Sequence, residues 1–410
     1  MPTPTYDWES SAAGSTSFTV LGKQEFESRF GWVTRSMDTG TDPLTGQSTS
    51  SAVAKVLRWK VALVTNDTDM LSIWSENWEK SKGKAKAKIY SLRFPREIAD
   101  GRLPPDGSAY FEPVSMKYLV VNPSSYDAIK AVAVRVVTNE LAERDGKYIS
   151  INGSCAEVLG KGVCLMAPKG LGKTTHVYGL AGWTRDSSTR FHSDGWFFAS
   201  PDKKEAISPE RRYYLHRLPS LSLSLRRLFS RSRDERGGGY SLSKDLMVMD
   251  GFLADPTEFM GRGKSTKKCK LEILVILKRD ESDQSLIKPL TSNEALSLLE
   301  SGVVPGDGVS GPYFNQLVVR DKDRDERRKK MYERFLKGLK IYLVNAREQP
   351  WITQTLIRGL ALGEWSWAKL VDGQVYALRG EKYEPLFKSS AEGVESLGSP
   401  NKKRAKVVRD

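Results

Sequence analysis

Residues 167 to 174 read Ala-Pro-Lys-Gly-Leu-Gly-Lys-Thr and follow the apolar run Gly162-Val163-Cys164-Leu165-Met166. A short apolar strand that runs into a glycine-rich turn and a Lys-Thr pair is the setting of a phosphate-binding loop. Backbone N–H groups around Gly170, Leu171 and Gly172 are placed to wrap a triphosphate, with Lys169 and Thr175 at the ends of the nest. Lys173 is placed to reach the β and γ oxygens and Thr174 to set a hydroxyl on Mg²⁺. Ala167 stands where the eight-residue pattern begins with glycine, but Gly170, Gly172, Lys173 and Thr174 carry the physical demand, a tight anion nest with charge beside it. The cofactors expected on this reading are ATP and Mg²⁺. The plain alternative is a strand-to-helix turn whose lysine is merely solvated.

Some twenty residues on, Phe191-His192-Ser193-Asp194 brings a carboxylate to the end of a second apolar strand. There Asp194 would hold Mg²⁺, directly or through water, or accept the proton of an acceptor hydroxyl. Glu210, Arg211 and Arg212 form a charged segment further along. Glu210 and Arg211 join Lys173 and Asp194 as candidate catalytic groups, with a solvent-facing charged turn as an equal reading. His176 and His192 lie close to these residues in sequence, and an imidazole titrating near ~6.5 would relay a proton there if it did not simply pack.

The stretch from Ser150-Ile151-Asn152-Gly153 through Gly160-Lys161-Gly162-Val163 to Gly170-Leu171-Gly172-Lys173-Thr174 resembles the nucleotide-binding core of bacterial HPr kinase/phosphorylase. The Gly-Leu-Gly-Lys-Thr-Thr run resembles the loop of phosphoenolpyruvate carboxykinase, and Phe191 to Phe198 is similar to the second motif of both families. The resemblance covers roughly residues 145 to 260 and implies a P-loop α/β core that binds nucleotide and Mg²⁺, with Thr174 and Asp194 at the metal. Asn152 stands where the kinase family has a histidine, and Gly195 where it has a second aspartate. Glu157 sits where that family carries another acidic residue ahead of the loop. With those departures the family's nucleotide chemistry carries over, and its substrate and phosphorolysis do not.

A chain of 410 residues, 39% hydrophobic, predicts about two or three folded domains. The expected fold class is α/β: a P-loop core over 145–345, an added N-terminal α/β or α+β domain over 20–135, and a C-terminal helical extension over 346–388. Residues 1–20, rich in Ser, Thr and Pro, and the basic tail 389–410 are expected to be disordered. Val53 to Val64 and Tyr118 to Val121 read as strands, Met70 to Lys80 as a short helix, and Tyr126 to Glu143 as a helix leading into the core. Leu271 to Leu277 reads as a central strand, Asp323 to Tyr342 as a long charged surface helix, Trp351 to Leu362 as a helix and Trp365 to Arg379 as a hairpin. Trp32, Trp74 and Trp78 are expected in a core rather than on a base-stacking platform.

A net charge of +14 predicts attraction to polyanions. The excess is clustered at Arg226 to Arg236, a candidate lid beside Gly237-Gly238-Gly239, at Arg262 to Lys270, and at Lys402 to Lys406, which resembles a short nuclear-import signal. Three cysteines, Cys155, Cys164 and Cys269, with no C-x-x-C pair and few histidines to complete a metal site, suit a reducing intracellular compartment, and Cys155 and Cys164, on apolar strand-like segments, read as buried small hydrophobes. No apolar run reaches the ~20 residues that span a bilayer, so no membrane partner is expected. The expected function is an ATP/Mg²⁺-dependent kinase acting on a hydroxyl of an anionic acceptor, with nucleotide, RNA and DNA as candidates. A nucleic-acid-binding ATPase or switch and a scaffold with a degenerate nucleotide site are the alternatives, and oligomeric state stays open.

Overall fold

A computed structural model describes residues 5–6, 18–95, 103–104, 106–168, 170–182, 188–216, 251–255, 257, 260–261, 263–301 and 322–388. They form a mixed α/β structure of two mixed sheets with helices against them, plus a small ribbon in which Tyr213–His216 pairs with Gly251–Ala254. Lys169, the arginine stretch 226–236, Arg262 and the basic tail lie outside the described residues. Among the described residues no helix is long and apolar enough to cross a membrane.

The first sheet has eight strands, and its centre is three parallel ones, Trp59–Thr65, Ala87–Leu92 and Lys117–Val121. Side chains alternate along a strand, and here both faces are covered. Leu63, Ile89 and Val120 pack toward the helix Thr68–Asn77, while Val64, Tyr90 and Val121 pack toward the helix Lys23–Asp38. The apolar stretch from Val53 to Val64 is a hairpin, Ser50–Val56 with Trp59–Thr65, turned at Leu57 in the left-handed region. Asp67 caps Thr68–Asn77 by accepting from the Met70 amide, and Trp74 and Trp78 are wholly buried, as expected of core residues. Thr5–Tyr6 and Phe18–Val20 pair with each other at one edge, so part of the N-terminal segment is strand.

The second sheet places Lys268–Lys278 at its heart, parallel to Lys161–Met166 on one side and to Lys340–Asn345 on the other. From Ile273 to Leu277 the strand is continuously apolar and buried, which suits a position covered on both faces, while Glu272 before it is exposed. Sequence periodicity carried a helix through Tyr342, but it ends at Leu336. Gly338, at φ +84°, reverses the chain, and Ile341, Tyr342 and Val344 then enter the core as strand residues. The C-terminal extension holds the expected helix, Pro350–Leu362, and the expected hairpin, Ala368–Val371 with Gln374–Arg379, but it is not helical throughout: with Lys382–Lys388 these strands extend the same sheet. β-Branched and aromatic residues there favour a ladder over a helix.

Nor is the N-terminal domain separate in its packing. Trp196, Phe198, Tyr214 and Leu253 of the later chain share one core with Trp74, Trp78, Tyr126 and Ile129. The helix Tyr126–Ala131 lies at this junction and continues through a π-helical stretch, Val132–Val137, into Thr138–Asp145.

Gly162 shows how closely the second sheet is built. A Cβ there would strike the carbonyl oxygen of Lys270 on the neighbouring parallel strand. Gly162→Ala should therefore destabilise the fold by about 1–3 kcal/mol through overpacking, read as a lowered midpoint in denaturant unfolding. An unchanged midpoint would contradict this contact.

Candidate nucleotide site

The loop strand Lys161–Met166 ends level with Ile276 of the central strand, and that strand ends level with Asn345 of the next. The chain leaving Met166 thus emerges at the carboxyl edge of three parallel strands, where α/β sheets open toward ligands. Gly170 (φ +92°) and Gly172 (φ +86°) bend it through backbone that L-residues rarely adopt, and the helix Lys173–Gly182 begins at once. Leu171 is buried in the core and anchors the loop from beneath. The Thr175 carbonyl accepts Gln354 Nε2 at 3.3 Å, tying the loop helix to Pro350–Leu362. Lys173 Nζ donates to the carbonyls of Ala167 at 2.6 Å and Pro168 at 3.0 Å, so its ammonium lies over the loop.

Asp194 stands against this helix start. Its Oδ1 accepts from Ser154 Oγ at 2.7 Å and from Thr174 Oγ1 at 3.1 Å. The register explains the meeting: Ser154 lies opposite Leu165 near the loop end of the strand, and a bulge after Cys155 brings the Ser193 end of Thr189–Ser193 alongside. Burial pushes the Asp194 carboxyl above its ordinary range, while the two hydroxyls and the charges of Lys130 and Lys173 pull the other way. Gly195 takes a left-handed conformation (φ +82°), which an L-aspartate at that position would strain.

Lys130 was not apparent from the sequence, and it is central. Its Nζ lies 2.9 Å from Glu210 Oε2, with both side chains almost wholly buried. Burial alone would lower the lysine's pKa; Glu210 and Asp127 outweigh it and Asp194 adds to them, so Lys130 stays charged. The available signal was its position as the single charge in the run Ala128-Ile129-Lys130-Ala131-Val132.

Glu210 and Arg211 require correction. Glu210 is buried and not part of a solvent-facing turn: its Oε2 also accepts from Asn77 Nδ2 at 2.9 Å, and Tyr126 OH donates to Asn77 Oδ1 at 2.8 Å. Arg211 pairs with the Glu76 carboxylate, its amide donates to the Asn77 carbonyl at 2.7 Å, and Arg212 reaches Glu76 at 3.2 Å. The end of the helix Thr68–Asn77 offers free carbonyls and negative charge, which draw this segment to the first sheet. Glu157, the acidic residue ahead of the loop, lies opposite Gly162 at the far end of the loop strand and is ion-paired with Arg190. It is out of place as a substitute for Asp194.

The histidines pack. Burial lowers His176 and His192 to about 4, so both rings are neutral at pH 7. No protein-family model matches the chain, and no curated protein matches it in sequence.

Lys130→Met should cost about 3–5 kcal/mol, because it leaves Glu210 buried without its cation. Lys130→Met combined with Glu210→Met should recover most of that loss in guanidinium unfolding. A single-variant loss under about 1 kcal/mol would instead be the behaviour of a solvated pair.

Proposed function

We propose that the chain is an ATP- and Mg²⁺-dependent phosphotransferase that moves the γ-phosphate to a hydroxyl of an anionic acceptor, for which nucleotide, RNA and DNA are candidates. The observation that carries this reading is the junction of Thr174 and Asp194 through one hydrogen bond, at a glycine loop on the carboxyl edge of parallel strands, with Lys173 opening the helix. Amides around Gly170 to Gly172 and the start of the helix would hold the triphosphate. Lys173 would exchange the Ala167 and Pro168 carbonyls for phosphate oxygens and stabilise the charge that develops on transfer. Thr174 Oγ1 and Asp194 are hard oxygen donors in contact, a set that suits Mg²⁺. The ion, when bound, would supply charge neutralisation at the phosphates. The Asp194 carboxylate, at the same point, is the group that would take the proton of an acceptor hydroxyl.

Calorimetry with a non-hydrolysable ATP analogue tests binding, and absence of binding at millimolar nucleotide would sink the proposal. Lys173→Ala should cut kcat by roughly 10²–10³-fold with the fold intact. Asp194→Asn should abolish turnover and keep nucleotide binding. Labelled γ-phosphate appearing on an acceptor supports transfer; phosphate release stimulated by nucleic acid would point to an ATPase, and neither to a binding protein.

A further inference from the structure

All three cysteines of the chain, two from one hairpin and the third more than a hundred residues on, lie in the core of the second sheet near a histidine. Cys155 lies directly across the antiparallel ladder from Cys164, and its Sγ stands 3.4 Å from Cys269 Sγ, near the start of the central strand. His192 comes in from Thr189–Ser193, the strand on the other edge of Cys155's own. Donor atoms of Cys155, Cys269 and His192 lie within 4.8 Å of one another, and all three residues are buried. His192 Nδ1 is 2.9 Å from Ser193 Oγ, and the backbone of Ala206 and Lys267 also hydrogen-bonds toward the buried ring.

We propose that Cys155, Cys269 and His192 form a buried site for one zinc-type ion, separate from the Thr174 and Asp194 pair. Two sulfurs and an imidazole are a soft donor set that selects Zn²⁺ over Mg²⁺. Two thiolates bound at ~2.3 Å to one tetrahedral ion stand about 3.8 Å apart, close to the spacing already present. A ring nitrogen of His192 would complete the donor set, with Ser193 orienting the ring. Binding releases two thiol protons and moves no electrons; one divalent ion with two thiolates and a neutral imidazole leaves no net charge in the core. A surface cleft of about 300 Å³, lined by Glu157, Lys203, Glu205 and Lys268, borders the strand at Cys269. The ion would join the strand of Cys155, the central strand and the strand that leads to Asp194.

The test uses the full chain, purified reduced and dialysed against Mg²⁺ after one equivalent of Zn²⁺. Elemental analysis should find one zinc per chain, and X-ray absorption should find sulfur and imidazole nitrogen around it. Cys269→Ala should lower zinc occupancy roughly tenfold or more, while Asp194→Asn keeps it. Should the cysteine variant fail to fold, the wild type alone decides: chelation should lower its thermal midpoint, and zinc should restore it. Reduced wild type that retains no zinc, a Cys269→Ala protein that retains as much as wild type, or a native Cys155–Cys269 disulfide would overturn the proposal.

Discussion

The ammonium of Lys130 has to be buried, and much of the architecture follows from keeping it paired. A lysine in the interior is tolerable only beside anions, and here Glu210 meets it directly while Asp127 and Asp194 add to the field. Glu210 therefore cannot stay at the end of a surface turn. It is drawn between the two sheets, where Asn77 binds both its carboxylate and the Arg212 carbonyl. Asn77 is also held by Tyr126, from the same helix as Lys130. The result is a polar network at the seam of a largely apolar core shared by both sheets, with Glu210 Oε1 left without a hydrogen bond among the described residues.

That network reaches the candidate site through charge. Asp194 is deeply buried and feels Lys130 on one side and Lys173 on the other, with two hydroxyls on a single oxygen. Desolvation still dominates and raises its pKa, a combination that leaves a carboxylate more basic than one in water. Under the proposed mechanism a bound Mg²⁺ would pull the same carboxyl the other way, so what the junction supplies is the position of the group. The junction between the sheets would then set the chemistry of the loop, although no side chain of the first sheet is one of its candidate ligands.

Local signals in the sequence were enough for some features and mute on others. The loop from Ala167 to Thr174 and the strand Leu271 to Leu277 could be read because each is specified by adjacent residues: glycines for bends, an apolar run for a strand buried on both faces. Glu210 and Arg211 could not, because their partners Asn77 and Glu76 lie more than 130 residues away and no local pattern encodes that pairing. The charged helix was extended into Lys340–Asn345 because the one break, Gly338, is short, and the pull of a central position in a parallel sheet is not a local property. The meeting of Cys155, Cys269 and His192 is likewise a product of register: each residue alone reads as a small or aromatic core side chain.

The two candidate centres bear on one strand, and this gives their relation a physical basis. Thr189–Ser193 carries His192 toward the cysteines and delivers Asp194, two residues on, to Thr174. Successive side chains of a strand point to opposite faces, so residues two apart would share one while the strand lasts. The strand ends at Ser193, and Gly195 turns the chain through left-handed backbone, which leaves Asp194 at the point where the ladder stops. The carboxylate's position is thereby fixed by what holds the strand, namely its pairing with Gly153–Val158 and the packing of Phe191 against Tyr178 and Tyr213. Clamping His192 would add a third constraint to the same short strand, so a change at the buried cysteines should be felt at Asp194 as a loss of orientation rather than of charge.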